Sequence, residues 1–154
     1  MYESITPMSR WNITDKKSMK KILLFLTMLG MVSCFVDSNM TEHEKRVKEA
    51  KEYLSADVAL SNKQTAGTKI DETTRVQSIV FDGQNIIYTY DVDENYITIS
   101  QMRALQSEIE KELRKEFYSN KELAEVRGYL LVLEGTAIYN YVGNKTKQVL
   151  TIKI

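Results

Sequence analysis

The chain of 154 residues has one cysteine, one histidine and one tryptophan. A lone Cys34 builds no disulfide framework and no zinc–cysteine site. A lone His43 has no second histidine or free thiol beside it, so a transition-metal site would need an all-carboxylate shell. There is no Gly-x-Ser-x-Gly, and no phosphate loop ending in Gly-Lys-Ser/Thr, so the usual sequence signs of nucleophilic catalysis are missing. No apolar run approaches the roughly 20 residues that span a bilayer. There is no basic excess either. Five basic (Arg10, Lys16, Lys17, Lys20, Lys21) and two acidic (Glu3, Asp15) side chains precede Cys34. Residues 34–154 therefore keep 16 of the 21 basic and 19 of the 21 acidic groups, a net charge of −3. That balance gives no support for nucleic-acid binding.

What is present starts at Lys20-Lys21, followed by an apolar run from Ile22 that ends at Met31-Val32-Ser33-Cys34. A short basic region, an apolar stretch of about eleven residues and a small residue before a cut point form a secretory signal. Met31-Val32-Ser33-Cys34 resembles the lipobox of bacterial lipoproteins, with Met31 where leucine is usual. The resemblance implies cleavage before Cys34, a diacylglycerol thioether on its sulfur and an acylated new amino terminus. A single acyl chain binds membranes marginally, and two or more anchor stably. Acylated Cys34 would thus hold the protein on a lipid bilayer of the bacterial envelope, the outer membrane before the inner. Two other readings remain open: a secreted protein without lipid, and a buried N-terminal helix with Cys34 an ordinary small apolar residue. Met19 is the natural start of the signal. Residues 1–18 then read as an over-long extension, 19–33 as signal peptide, 34–40 as tether and 41–154 as one domain.

Within that domain Thr41 and Glu44 form a capping box. Val47, Ala50, Leu54 and Val58 follow at helical spacing, predicting a helix of about 18 residues. Ser61–Lys69 reads as a loop. Val76, Ser78 and Val80 alternate with Arg75, Gln77 and Ile79. Asp82-Gly83 signals a type I′ hairpin turn, and Ile86, Tyr88, Tyr90 and Val92 face the core on the return strand. Thr98 and Gln101 open a second helix with a stripe of Met102, Leu105, Ile109, Leu113 and Phe117. Ser119 and Glu122 form a third capping box, before a helix carrying Leu123, Val126, Leu130 and Leu133. Gly128 weakens that helix, leaving a strand over Tyr129–Leu133 as the alternative, and Gly135 suits the helix C′ position. A second hairpin pairs Ala137, Tyr139 and Tyr141 with Leu150, Ile152 and Ile154, and Lys145, Lys147 and Lys153 make it basic. The order is α-β-β-α-α-β-β, and an α+β fold with an antiparallel four-stranded sheet and helices on one face buries all these stripes.

Residues 62–76 (Asn62-Lys63-Gln64 through Lys69-Ile70-Asp71-Glu72-Thr73-Thr74-Arg75-Val76), Asp82-Gly83, Asn120-Lys121-Glu122-Leu123, Gly135 and Tyr139-Asn140-Tyr141 resemble a widespread group of small exported bacterial domains. The likeness runs from about Leu60 to Ile154. It implies the fold and export, and no activity.

Candidate chemistry is sparse. His43 reads as a solvated residue in a first helical turn. Asp91, Asp93 and Asn95 match the oxygen ligands that open an EF-hand loop, but Tyr96 replaces the turn glycine and Met102 the bidentate glutamate. An acidic strand-to-helix loop is the better reading, with a weak calcium site as the alternative. Tyr88, Tyr90, Tyr139 and Tyr141 would form an aromatic band if the hairpins pair. That band would serve either as core packing or as a surface for a partner. No cofactor is expected. The reading is a non-catalytic binding or adaptor domain for an envelope protein or a small ligand. The alternatives are an inhibitor or immunity-type protein and, behind it, a carboxylate-dependent envelope hydrolase.

Trp11 is the only tryptophan. Protein isolated from its native host should therefore show no tryptophan emission, and its intact mass should correspond to a lipid-modified chain beginning at Cys34. Tryptophan emission from the processed form would refute this start and cut.

Overall fold

The computed structural model describes residues 40–154; the N-terminal extension, the signal segment and Cys34 lie outside the described residues. Helix α1 spans Glu42–Thr65. The hairpin β1 (Thr74–Phe81) and β2 (Ile86–Val92) follows. Next come α2 (Ile99–Ala104), α3 (Gln106–Ser119), a 3-10 turn (Lys121–Leu123) and α4 (Ala124–Val132). The hairpin β3 (Ala137–Gly143) and β4 (Val149–Lys153) closes the chain. The sheet order is β1-β2-β3-β4. Among the described residues no helix is long and apolar enough to cross a membrane.

The α+β class and the order of elements are as expected, but the sheet is mixed. The two hairpins meet through β2 and β3, which run parallel from Ile86↔Ala137 to Val92↔Gly143. The reason is topological. Three helices carry the chain from the end of β2 back to its start, and such a crossover delivers the next strand parallel.

Each remaining departure has a local cause. Helix α1 runs about one turn past Ser61, because Asn62 accepts from the Ile79 N–H (2.7 Å), the Thr65 hydroxyl donates to the Ser61 carbonyl (2.7 Å), and Ser61 and Thr65 are buried. Polar composition there marks a buried helix face, not a loop. A β-bulge between Val76 and Ser78 shifts the core position of β1 from Ser78 to Ile79, as an extra residue must. The first hairpin turn is not type I′. That type needs φ > 0 at both central residues, and only Gly83 (φ +99°) has it, Gln84 not being left-handed. The Asp82 carboxylate closes this turn by accepting from the Gln84 and Asn85 N–H groups (2.9 and 2.6 Å).

The long helix breaks at Leu105 into α2 and α3, with Met102, Ile109 and Phe117 still buried. Ser119 ends α3, and Asn120, not Ser119, caps the following turn by accepting from Glu122 N–H (2.9 Å). Tyr129–Val132 is helical. Gly135 is not at C′. Glu134 takes the left-handed C′ position (φ 53°). The Gly135 N–H reaches the Leu130 carbonyl (2.8 Å) and the Glu134 N–H the Leu131 carbonyl (3.2 Å), a Schellman motif.

Gly135 has a different reason to be glycine. A Cβ there would lie 1.8 Å from the Gln84 carbonyl oxygen. Gly135→Ala should lower stability by about 2–3 kcal/mol, because backbone has no room to yield. At Gly128 an added methyl group would meet nothing within 4 Å. Gly128→Ala should therefore raise stability by about 0.5–1 kcal/mol through helix propensity. Denaturant melts of the two variants check both signs.

Candidate functional site

The parallel seam brings together the four tyrosines singled out from sequence. Its register sets Tyr88 beside Tyr139 and Tyr90 beside Tyr141. The rings stack at 4.9 Å (10° between planes) and 5.3 Å (24°), and Tyr90 and Tyr139 lie 6.5 Å apart, distances at which aromatic pairs attract. Tyr90 and Tyr139 are each 8% exposed and belong to the core; Tyr88 and Tyr141 pack against it. Burial raises the ionisation of all four phenols above the ordinary value, so they stay neutral hydrogen-bonding groups.

Asp93 and its neighbour Glu94 fasten the end of that seam. Asp93 Oδ1 accepts from the Asn95 N–H (3.0 Å) and from the side-chain amides of Asn95 (2.8 Å) and Asn144 (3.3 Å). Glu94 accepts from the N–H groups of Lys145 (2.8 Å) and Thr146 (2.6 Å) and from the Thr146 hydroxyl (2.8 Å). These bonds, with the Thr146 and Asn95 backbone N–H groups foremost, hold Glu94 and Asp93 below the usual carboxylate range. Asp91, two positions before Asp93, pairs in register with Val142. The acidic loop is thus a staple across the two hairpins. A cleft of about 310 Å³ opens nearby, lined by Lys69, Arg75, Lys147, Glu72, Asp91 and Asp93 among others. His43 is exposed in the first turn of α1.

The most perturbed carboxylate was not among the residues singled out from sequence. Asp57 sits on α1 between buried Leu54 and Ser61. Its Oδ2 and the Ser61 hydroxyl oxygen are buried with no hydrogen-bond partner among the described residues. Burial first, and the Glu125 carboxylate second, push Asp57 up to about 6. Glu125 belongs to α4 and accepts from the Tyr53 hydroxyl (3.1 Å), whose ring lies 4.6 Å from that of Tyr129. Periodicity could have flagged Asp57 as a charge on the apolar stripe of α1. Only the packing of α4 on α1 supplies its neighbour. Glu125 and Asp57 do not line the cleft at the sheet end.

The other face of the sheet is also a product of the register. Its outward rows are Val80, Ile87, Ile138 and Lys153; Ser78, Thr89, Asn140 and Thr151; and Arg75, Asp91, Val142 and Val149. None of these residues belongs to the core cluster. Val80 and Val149, at opposite corners, are 48% and 46% exposed. The helices bury their apolar stripes on the tyrosine side; on this face Val80 and Val149 are exposed and Ile87 and Ile138 half-buried.

No protein-family model matches the chain, and neither does any curated protein. Among solved structures, the crystal structure of a protein from Pseudomonas aeruginosa described as a "putative secreted protein" has a similar fold. The TM-score is 0.53 and the identity 18%, over 75% of this chain and 95% of that one. At that identity the likeness speaks to the fold.

Asp57 makes stability depend on pH. Its folded value, about 6, lies above its ordinary 3.8. The folded state therefore binds more protons between these limits, and the contribution of Asp57 is full below about pH 4 and lost as pH rises through 6. Asp57→Asn should remove that slope and add about 1 kcal/mol at pH 7.5, a figure reduced for solvent screening. Denaturant melts of both proteins at steps between pH 4 and 8 measure it.

Proposed function

We propose that this chain is an exported bacterial binding domain, lipid-anchored at Cys34 on the envelope side of a membrane, that works without catalysis by engaging an envelope protein. The observation that carries the reading is the sheet face opposite the tyrosines. A contiguous apolar patch at the surface is the usual mark of an interaction site, and here exposed Val80 and half-buried Ile87 and Ile138 form one apolar row across three strands. The row rests on the stacked tyrosines beneath it, which hold the two central strands in register. Export is supported by the signal-like run before Cys34 and by the similar fold of a bacterial protein described as secreted. A tether of a few residues from Cys34 to Thr41 would keep this face close to the membrane and to partners held there.

The test is crosslinking of the native protein in its envelope, followed by identification of what it captures, with Ile87→Lys/Ile138→Lys as the control. These side chains are half-buried and outside the core cluster, so the double variant should still fold, less stable by about 2 kcal/mol. It should lose the captured partner. Equal capture by the variant, or no specific partner for the natural protein, would remove the reading.

A further inference from the structure

We infer that the outer edge of β4 is a docking site for an extended, acidic peptide segment of a partner protein, added to the sheet as a fifth strand. This deepens the binding reading above, on which it rests, by naming where a partner joins and with what chemistry.

The register decides which backbone groups are free. Ala137 and Ile154 exchange both backbone hydrogen bonds (3.3 and 2.9 Å), and the Gly143 N–H reaches the Gln148 carbonyl at 3.0 Å. Antiparallel strands alternate bonded and non-bonded pairs. The N–H and C=O groups of Val149, Thr151 and Lys153 therefore point away from β3, where β4 has no neighbouring strand. Two of the three outward carbonyls already hold a donor, and both donors are arginines on exposed helix faces. Arg103 of α2 donates to the Val149 carbonyl (3.3 Å), and Arg114 of α3 donates to the Lys153 carbonyl (3.1 Å). Thr151, between them, has no such cap among the described residues.

The opposite edge is closed differently. Along β1 the Gly67 N–H donates to the Val76 carbonyl (2.7 Å), the Val76 N–H donates to the Thr68 carbonyl (2.9 Å), and the Ile79 N–H is held by the Asn62 side chain (2.7 Å). That edge is occupied by the protein's own backbone and by a side chain from α1. Among the described residues β4 is closed by side chains alone, each donating a single hydrogen bond to a strand carbonyl. Main-chain pairing with such an edge supplies affinity, and alternating side chains supply specificity. Here the specificity is electrostatic. Arg103, Arg114 and Lys153 line the edge, and Glu110 holds Arg114 at 2.8 and 2.9 Å. A strand with carboxylates at alternate positions would take the arginines as partners while its N–H groups replace them on the Val149 and Lys153 carbonyls.

The experiment titrates the full chain with a peptide of about eight residues alternating Glu and Val, the length of a typical strand. Binding is followed by anisotropy and by amide shifts in NMR. Two further peptides accompany it: the same sequence N-methylated at alternate residues, and a Lys–Val counterpart. The Glu–Val peptide should bind saturably, shift the amides of Val149, Thr151 and Lys153 most, and weaken as salt is raised. The Lys–Val peptide should bind at least about tenfold more weakly. N-methylation, which removes the ladder donors and leaves the charge, should weaken binding by at least the same factor, as should Arg103→Ala/Arg114→Ala. Equal binding of the N-methylated or the Lys–Val peptide, shifts centred elsewhere, or no saturation up to about 1 mM would overturn the inference. So would a double variant that binds the acidic peptide more tightly, because the arginines would then only guard the edge. Such a failure is separable from failure of the binding reading, which is decided by capture through Ile87 and Ile138.

Discussion

The structure depends on one parallel seam, β2 against β3 in a single register. Side chains alternate across a strand, so a slip of one residue would bring Ile87 or Ile138 into the core and turn that strand's tyrosines outward. Both ends of the seam are clamped against that slip. At the first, Asn85 accepts from the Thr136 N–H (3.1 Å), and the Gln84 side-chain amide donates to the Leu133 and Glu134 carbonyls (3.3 and 3.2 Å). At the second, Glu94 grips the backbone of Lys145 and Thr146. Each clamp requires close approach, and each has a glycine where a methyl group would intrude: Gly135 under the Gln84 carbonyl, Gly143 against the Glu94 carboxyl. The two hairpins could each form locally; the parallel ladder, its stacked tyrosines and the two clamps make one sheet of them.

Much of the fold was legible in the sequence because it is local. The Thr41–Glu44 and Thr98–Gln101 capping boxes are both present with reciprocal bonds. The alternation of Ile86, Tyr88, Tyr90 and Val92, and of Leu150, Ile152 and Ile154, points to the core as it should. What was not legible is set by partners distant in the chain. The parallel direction of β3 follows from where three helices deliver it. The extension of α1 to Thr65 follows from Asn62 meeting Ile79, 17 positions on. For the candidate site the division is the same. That Tyr88, Tyr90, Tyr139 and Tyr141 would meet was conditional on pairing that no local pattern encodes. Asp57 showed only as a charge on the apolar stripe of α1, and nothing local pairs it with Glu125.

The polar stripe on α1 is the costly part of the design. Asp57 and Ser61 leave two buried oxygens without partners among the described residues, and each such group costs about 1–3 kcal/mol. One turn further, Thr65 avoids that cost by donating to the Ser61 carbonyl. The stripe sits where α1 meets both the sheet and α4, and the Tyr53–Glu125 bond and the Tyr53–Tyr129 ring contact compensate on its solvent side. Burial and the neighbouring Glu125 carboxylate both favour protonated Asp57, and the Schellman turn that ends α4 leads directly into Gly135, at the first clamp of the seam.

The surfaces left for recognition follow from the same constraint. One sheet face is spent on burying tyrosines and helices, and the β1 edge is taken up by residues 67–70. An isolated open edge and an open face invite self-association, and exposed charges at the edge are the common protection. Lys145, Lys147 and Lys153 make the last hairpin basic and could play that role. The structure gives it to Arg103 and Arg114, which reach across from the helices and occupy β4 carbonyls directly. Guanidinium caps protect against neutral strands and attract acidic ones. In the proposed reading, the caps would be released by a partner strand of opposite charge and not by a neutral one. Because α2 and α3, which hold the arginines, are also part of the crossover that makes β3 parallel, the protection of the edge and the register of the seam come from a single stretch of chain.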